Sequence, residues 1–182
     1  MKNFSPQRLV EANIALAKKD STLWGERAQK IAGERLGWID LPENSRELLP
    51  ALDALWAWSR SLKRNRFVLS GMGGSSLAPE VIAATFGEGL ILLDSTHPDD
   101  VRTALEPDPS DTLFVISSKS GETIETRSHL KAIIERLERV DLKPADHLVV
   151  ISDPGSPLSL WAQEMKIRHF AGDTTVGGRF RE

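Results

Sequence analysis

RFVLSGMGGSSLAP, Arg66–Pro79, passes from a short apolar run through a loop of glycine and serine into a helical pattern. TLFVISSKSGETIET, Thr112–Thr126, repeats the same order of strand, small-residue loop and helix. A strand that ends in such a loop and feeds a helix aims unpaired backbone N–H groups at one spot beyond the strand's carboxyl end. The second loop adds the hydroxyls of Ser118, Ser120 and Thr123 and the cation of Lys119. Many donors and some positive charge are what a phosphate requires. A phosphosugar is the expected carrier of that phosphate.

Outward from these two stretches the alternation continues. Strands are expected at Phe67–Ser70, Leu90–Asp94, Leu113–Ser117, His147–Ser152 and Ile167–Phe170, with helices at about Ser76–Phe86, Pro98–Leu105, Glu122–Arg139 and Pro157–Glu164. The strands are near-continuous apolar runs, which predicts burial on both faces. The fold class is therefore α/β, a five-stranded parallel sheet flanked by helices, and ligands in such folds sit at the carboxyl ends of the strands. Both loops lie at carboxyl ends, so one site can use both. This domain is expected to span Asn65–Phe180.

The residues before it, Met1–Arg64, read as a helical segment. Ser5 is placed to cap a helix with Pro6 at its first position. A second helix is expected over Thr22–Leu36, and a third after Asn44 or Ser45, carrying Leu48, Leu52, Leu55, Trp56, Ser59 and Leu62. Trp24, Trp38, Trp56 and Trp58 are expected to anchor these helices onto the domain behind them.

The bulk properties exclude several functions. The 182 residues are 40% hydrophobic and 27% charged, ordinary for a globular chain with a proper core. A net charge of −3 argues against nucleic acid as a partner. No apolar run approaches bilayer-spanning length and the N-terminus lacks a secretory apolar core, so no membrane partner and a cytoplasmic location are expected. With 0 Cys there is no disulfide or thiolate nucleophile, and the four histidines (His97, His129, His147, His169) form no metal-ligand pair at helical spacing. No metal and no other cofactor is expected.

Each loop admits a plainer reading. In the first, Ser75 and Ser76 either cap the helix or donate to a ligand, and the glycines let backbone approach what a Cβ would hold off. The same residues nearly match a dinucleotide-binding loop, with Asp94 where a ribose-binding acid belongs, but Ser76 replaces the third glycine. Asp94 also reads as a strand-end residue, with Thr96 capping the next helix. In the second loop, capping accounts for Ser120 and Glu122 but not for Lys119 amid three hydroxyls. Glu125 faces either a sugar hydroxyl or a surface cation such as Arg127 or His129. After the last strand, GDTTVGGRF (Gly172–Phe180) brings Arg179, which is either a surface residue or a stabiliser of negative charge on a substrate oxygen.

Taken in order, GMGGSSLAP, SSKSGETIET and VGGRF resemble the successive signatures of the glucose-6-phosphate isomerase family, over roughly Asn65–Phe180, its sugar-isomerase (SIS) domain. The prefix, with TLWG and LGWIDLP, resembles the isomerase half of bacterial transaldolase–isomerase fusions. The resemblance implies substrate contacts from Gly74 and Ser75, and a phosphate loop of Ser118, Lys119, Ser120 and Thr123, with Ser120 in place of the more usual threonine. It implies that Glu125 lines the sugar site and that Arg179 supports the enediolate. Arg181 stands where the family usually has serine.

The family interconverts an aldose and a ketose, glucose 6-phosphate and fructose 6-phosphate. Its glutamate base, and the histidine and lysine that open the ring, belong to a second half that is absent here. The expectation is a truncated isomerase that keeps a partial phosphosugar site and is inactive alone. Two other readings stand beside it: a non-catalytic SIS module that senses phosphosugars, and a nucleotide-binding fragment. The family usually dimerises, and apolar surface left uncovered in a half-length chain makes a homo-oligomer a further expectation.

Overall fold

A computed structural model describes residues 5–177. The chain divides into two compact units: one of residues up to Leu49 together with those from Asp173 onward, the other Pro50–Gly172.

The second unit is the α/β domain. Its strands are β1 Arg66–Gly71, β2 Ile91–Leu93, β3 Thr112–Ser117, β4 Leu148–Ser152 and β5 Arg168–Ala171, all parallel, in the order β2-β1-β3-β4-β5. The expected five-stranded parallel sheet is therefore present. Numbering all helices along the chain, α1 is Pro6–Ala17, α2 Glu26–Gly33, α3 Leu41–Asn44 and α4 Leu49–Ser61, while α5 Gly74–Phe86, α6 Pro98–Leu105, α7 Ile124–Glu138 and α8 Pro157–Glu164 connect the strands. Parallel neighbours cannot be joined by a tight turn, so each connection carries a helix.

Val68, Phe114, Ile116, Leu148 and Val150 are fully buried from the sheet, and Ile133 and Leu137 of α7 with Ala162 of α8 close over them. Burial on both faces holds for most of β1, β3 and β4. It does not hold for β5, an edge strand whose four residues are exposed or half-buried. At the amino ends of β3 and β4, the His147 Nδ1–H donates to the Thr112 carbonyl (2.9 Å), and the buried Arg64 guanidinium donates to His147 Nε2 (3.1 Å) and the Asp146 carbonyl (3.2 Å). That end of the sheet is locked by polar contacts, which leaves the carboxyl end for function.

The first unit departs from expectation in detail. The helix expected over Thr22–Leu36 is interrupted at Gly25, whose φ of +80° separates a 3₁₀ turn at Ser21–Trp24 from α2. Pairing of Leu36 with Val176, and of the Gly37 N–H with the Thr175 carbonyl (3.1 Å), ties the residues after β5 to this unit. α4 falls with the sheet domain almost entirely, not with the helical prefix. Trp24, Trp38 and Trp56 are half-exposed or more, so they do not serve as buried anchors; Trp58 is half-buried under the Arg168 guanidinium, 4.4 Å from its ring centre.

Candidate functional site

The strand order 2-1-3-4-5 reverses direction between β1 and β3, and in open α/β sheets the crevice beyond such a reversal is where ligands bind. Gly71 pairs with Ser117 there, so the loops after β1 and β3 leave the sheet side by side. Gly73 starts the turn into α5 with φ +60° and ψ −116°, a conformation that side chains resist. No side chain caps α5. Ser76 is buried and its hydroxyl donates to the Gly73 carbonyl (3.1 Å), so this serine is internal. Ser75 is half-buried with its Cβ close over Gly71, and Gly74 is exposed with open space where a Cβ would stand.

The loop after β3 is longer than the sequence suggested. α7 begins at Ile124, with Thr123 as its N-cap residue, and Ser120 does not cap it. The Ser120 hydroxyl instead accepts from the Glu122 N–H (3.2 Å), and the buried Ser118 hydroxyl donates to that of Thr123 (3.2 Å). Thr123 makes no side-chain capping bond, so the first-turn N–H groups of α7 are left uncapped. Gly121, at φ +68°, packs so closely on the first turn of α8 that a Cβ would lie 2.8 Å from Leu158 Cβ and 2.9 Å from its nitrogen.

Lys119 meets a partner the sequence reading did not name. Its Nζ donates to Asp153 Oδ1 (3.1 Å), and the Asp153 N–H donates to the Lys119 carbonyl (2.9 Å). Asp153 stands directly after β4, in SDPGSP, itself a small-residue loop at a carboxyl end and so a signal that was open to reading.

His129, offered by the sequence only as a surface cation for Glu125, is instead buried and held as a neutral ring. It lies buried on α7, its Nε2–H donates to the Ser95 carbonyl (3.1 Å), and its Nδ1 accepts from the Ser70 hydroxyl (3.0 Å), one residue before the glycine turn. A carbonyl can only accept, which fixes this tautomer. Burial pushes the imidazole below its ordinary pKa, against opposing pulls from the Ser95 bond, Glu125 and Asp94. Glu125 is half-buried and acts electrostatically on His129. Asp94 is exposed beyond β2, and the helix after it is capped by His97, not Thr96. Arg179 lies outside the described residues.

The structure therefore brings Gly74, Ser75, Ser118, Lys119, Ser120 and Thr123 to one end of the sheet, at its reversal. Comparison with known proteins bears on what that end is for. A glucose-6-phosphate isomerase from Thermus thermophilus is 35% identical across 96% of this chain and 42% of its own length. One from Carboxydothermus hydrogenoformans is 32% identical across 97% of this chain and 42% of its own. The chain belongs to the glucose-6-phosphate isomerase family.

It spans about 42% of the length of these curated relatives. Among solved structures, a hypothetical protein from Thermus thermophilus superposes with a TM-score of 0.73 at 32% identity, over 96% of this chain and 42% of that one. A glucose-6-phosphate isomerase from Chlamydia trachomatis shares the fold at a TM-score of 0.65 and 23% identity, over 90% of this chain and 31% of its own. No protein-family model matches the chain. Among the described residues, no helix of this isomerase-family chain is long and apolar enough to cross a membrane, and no group of three or more His, Asp or Glu is arranged to hold a metal ion.

Proposed function

We propose that the paired loops bind a hexose phosphate, and that this chain contributes the phosphosugar-binding part of a glucose-6-phosphate isomerase. The observation that carries the reading is the Gly71–Ser117 pairing at the sheet reversal, which sets two helix starts and one cation beside each other. In this reading Ser118, Lys119, Ser120 and Thr123 take the phosphate, Gly74 and Ser75 contact the sugar, and Glu125 lines its far side. Arg179 stabilises the enediolate.

Isomerisation moves a proton between adjacent carbons, and the group that does so must reach that proton. His129 has both nitrogens engaged, one on Ser70 and one on Ser95, which supports a positioning role and not a catalytic one. In this reading no described residue is assigned as the base or as a ring-opening group. In this reading the sheet-bearing unit, Pro50–Gly172, is the SIS domain.

The test is a calorimetric titration of the chain with fructose 6-phosphate in phosphate-free buffer. Saturable binding that is weakened roughly ten- to a hundredfold in Lys119→Ala is expected. No binding up to millimolar ligand would overturn the assignment of these loops.

A further inference from the structure

We propose that Asp153 is the internal counter-ion of the phosphate loop and sets how tightly that loop holds an anion. The inference rests on the phosphosugar reading above. The loop's polar groups engage one another: Ser118 with Thr123, Ser120 with Glu122, and Lys119 with Asp153. The last pair is held at two points, through the carboxylate (3.1 Å) and through the Asp153 N–H on the Lys119 carbonyl (2.9 Å). The two side chains keep 31% and 24% of their surface exposed, so water reaches the pair and exchange of partners is open.

An arriving phosphate therefore finds a cation already matched to a carboxylate. It must share Lys119 with Asp153, and it takes up a place close to a like charge. Both effects weaken binding; the like charge is removed, and the competition for Lys119 is eased, when the carboxylate becomes a carboxamide. Asp153→Asn keeps the size and leaves an oxygen for Lys119 Nζ, but removes the charge. The repulsion scales with ligand charge, so a phosphomonoester, near −2 at neutral pH, suffers more than a sulfate ester at −1. A carboxylate in this place keeps a strongly donating loop from trapping its ligand and lets product leave.

The experiment is calorimetry on the full chain at pH 7.5 with fructose 6-phosphate and with glucose 6-sulfate, for the wild type, Asp153→Asn and Asp153→Ser, each checked for folding by circular dichroism. The expected result is fructose 6-phosphate binding tightened roughly five- to fiftyfold in both variants, with a smaller gain for glucose 6-sulfate. Unchanged or weaker phosphate binding in the folded variants overturns the proposal, because Asp153 would then serve to orient Lys119. Equal gains for the two esters overturn it too, since a charge-independent effect is a structural one. Failure of the wild type and both variants to bind either ester is a different outcome: it removes the phosphosugar reading, and this inference with it.

Discussion

Gly121 answers two demands at once. Its φ of +68° lies where side chains are strained, and a Cβ there would press on the backbone nitrogen of Leu158 at 2.9 Å. Gly121→Ala is expected to cost about 2–4 kcal/mol, strain and crowding together, as measured by urea denaturation. A loss under about 0.5 kcal/mol would mean the loop shifts freely, outside the range that strain allows. Lys119 is a residue of function in this reading, and its removal acts on ligand instead. A hydrogen bond to a charged group is worth about 1.5–3 kcal/mol, so Lys119→Ala should weaken fructose 6-phosphate binding roughly ten- to a hundredfold. Unchanged affinity would take Lys119 out of the site. Lys119 was legible in the sequence because a cation among three hydroxyls has no local explanation. The loop that holds Asp153 was open to reading but its pairing with Lys119 was not, because the two are 34 positions apart and only the β3–β4 pairing makes them neighbours.

At the scale of elements, the five strands and the helices between them follow from apolar runs and their punctuation, and most boundaries fall within two residues of expectation. The start of α7 is the instructive departure. Glu122 looked like a first-turn acid, yet Gly121 turns left-handed and Thr123 stays non-helical, so the helix waits until Ile124. The result is more loop, hence more backbone facing the crevice. Burial of His129 on this helix, and of His147 at the other end of the sheet, was not legible either, since periodicity alone does not separate a buried polar residue from an exposed one.

Both imidazoles are held below the ordinary value of 6.5, chiefly by burial, and for His147 by the adjacent Arg64 as well. The unfolded chain therefore binds more protons than the folded one in the interval just under pH 6.5. Stability from these groups is fully present above about pH 6.5 and is lost as pH falls from there toward their folded values. Urea denaturation should show a less stable domain at pH 5.5 than at pH 7.5, with a smaller difference in His129→Gln. Equal stability at the two pH values would contradict the neutral, doubly bonded state of both rings.

For the whole molecule, the α/β class and the site's end of the sheet were legible because alternating strands and helices leave few topologies open. The tryptophans misled: aromatic residues in a helical prefix suggest anchors, but Trp24, Trp38 and Trp56 stay half-exposed or more. α5 likewise presents Leu77, Val81, Ile82 and Phe86 to solvent, the last at 76% exposure. The chain by itself is expected to bind hexose phosphate and to turn it over poorly or not at all. A coupled assay that follows fructose 6-phosphate formation checks this, and a rate near that of ordinary isomerases would refute it.

The pairing of Leu36 with Val176 joins the two ends of the described chain into one unit, separated by the whole α/β domain. During synthesis the amino-terminal residues emerge first, yet their partner emerges after the last strand of the sheet has been made. The sheet domain thus has everything it needs to fold while the opening segment is still waiting. Closing so long a loop has an entropic cost that falls sharply once the intervening residues are already compact. Of these two units, the one whose first residues are made earlier is the one that can close only later.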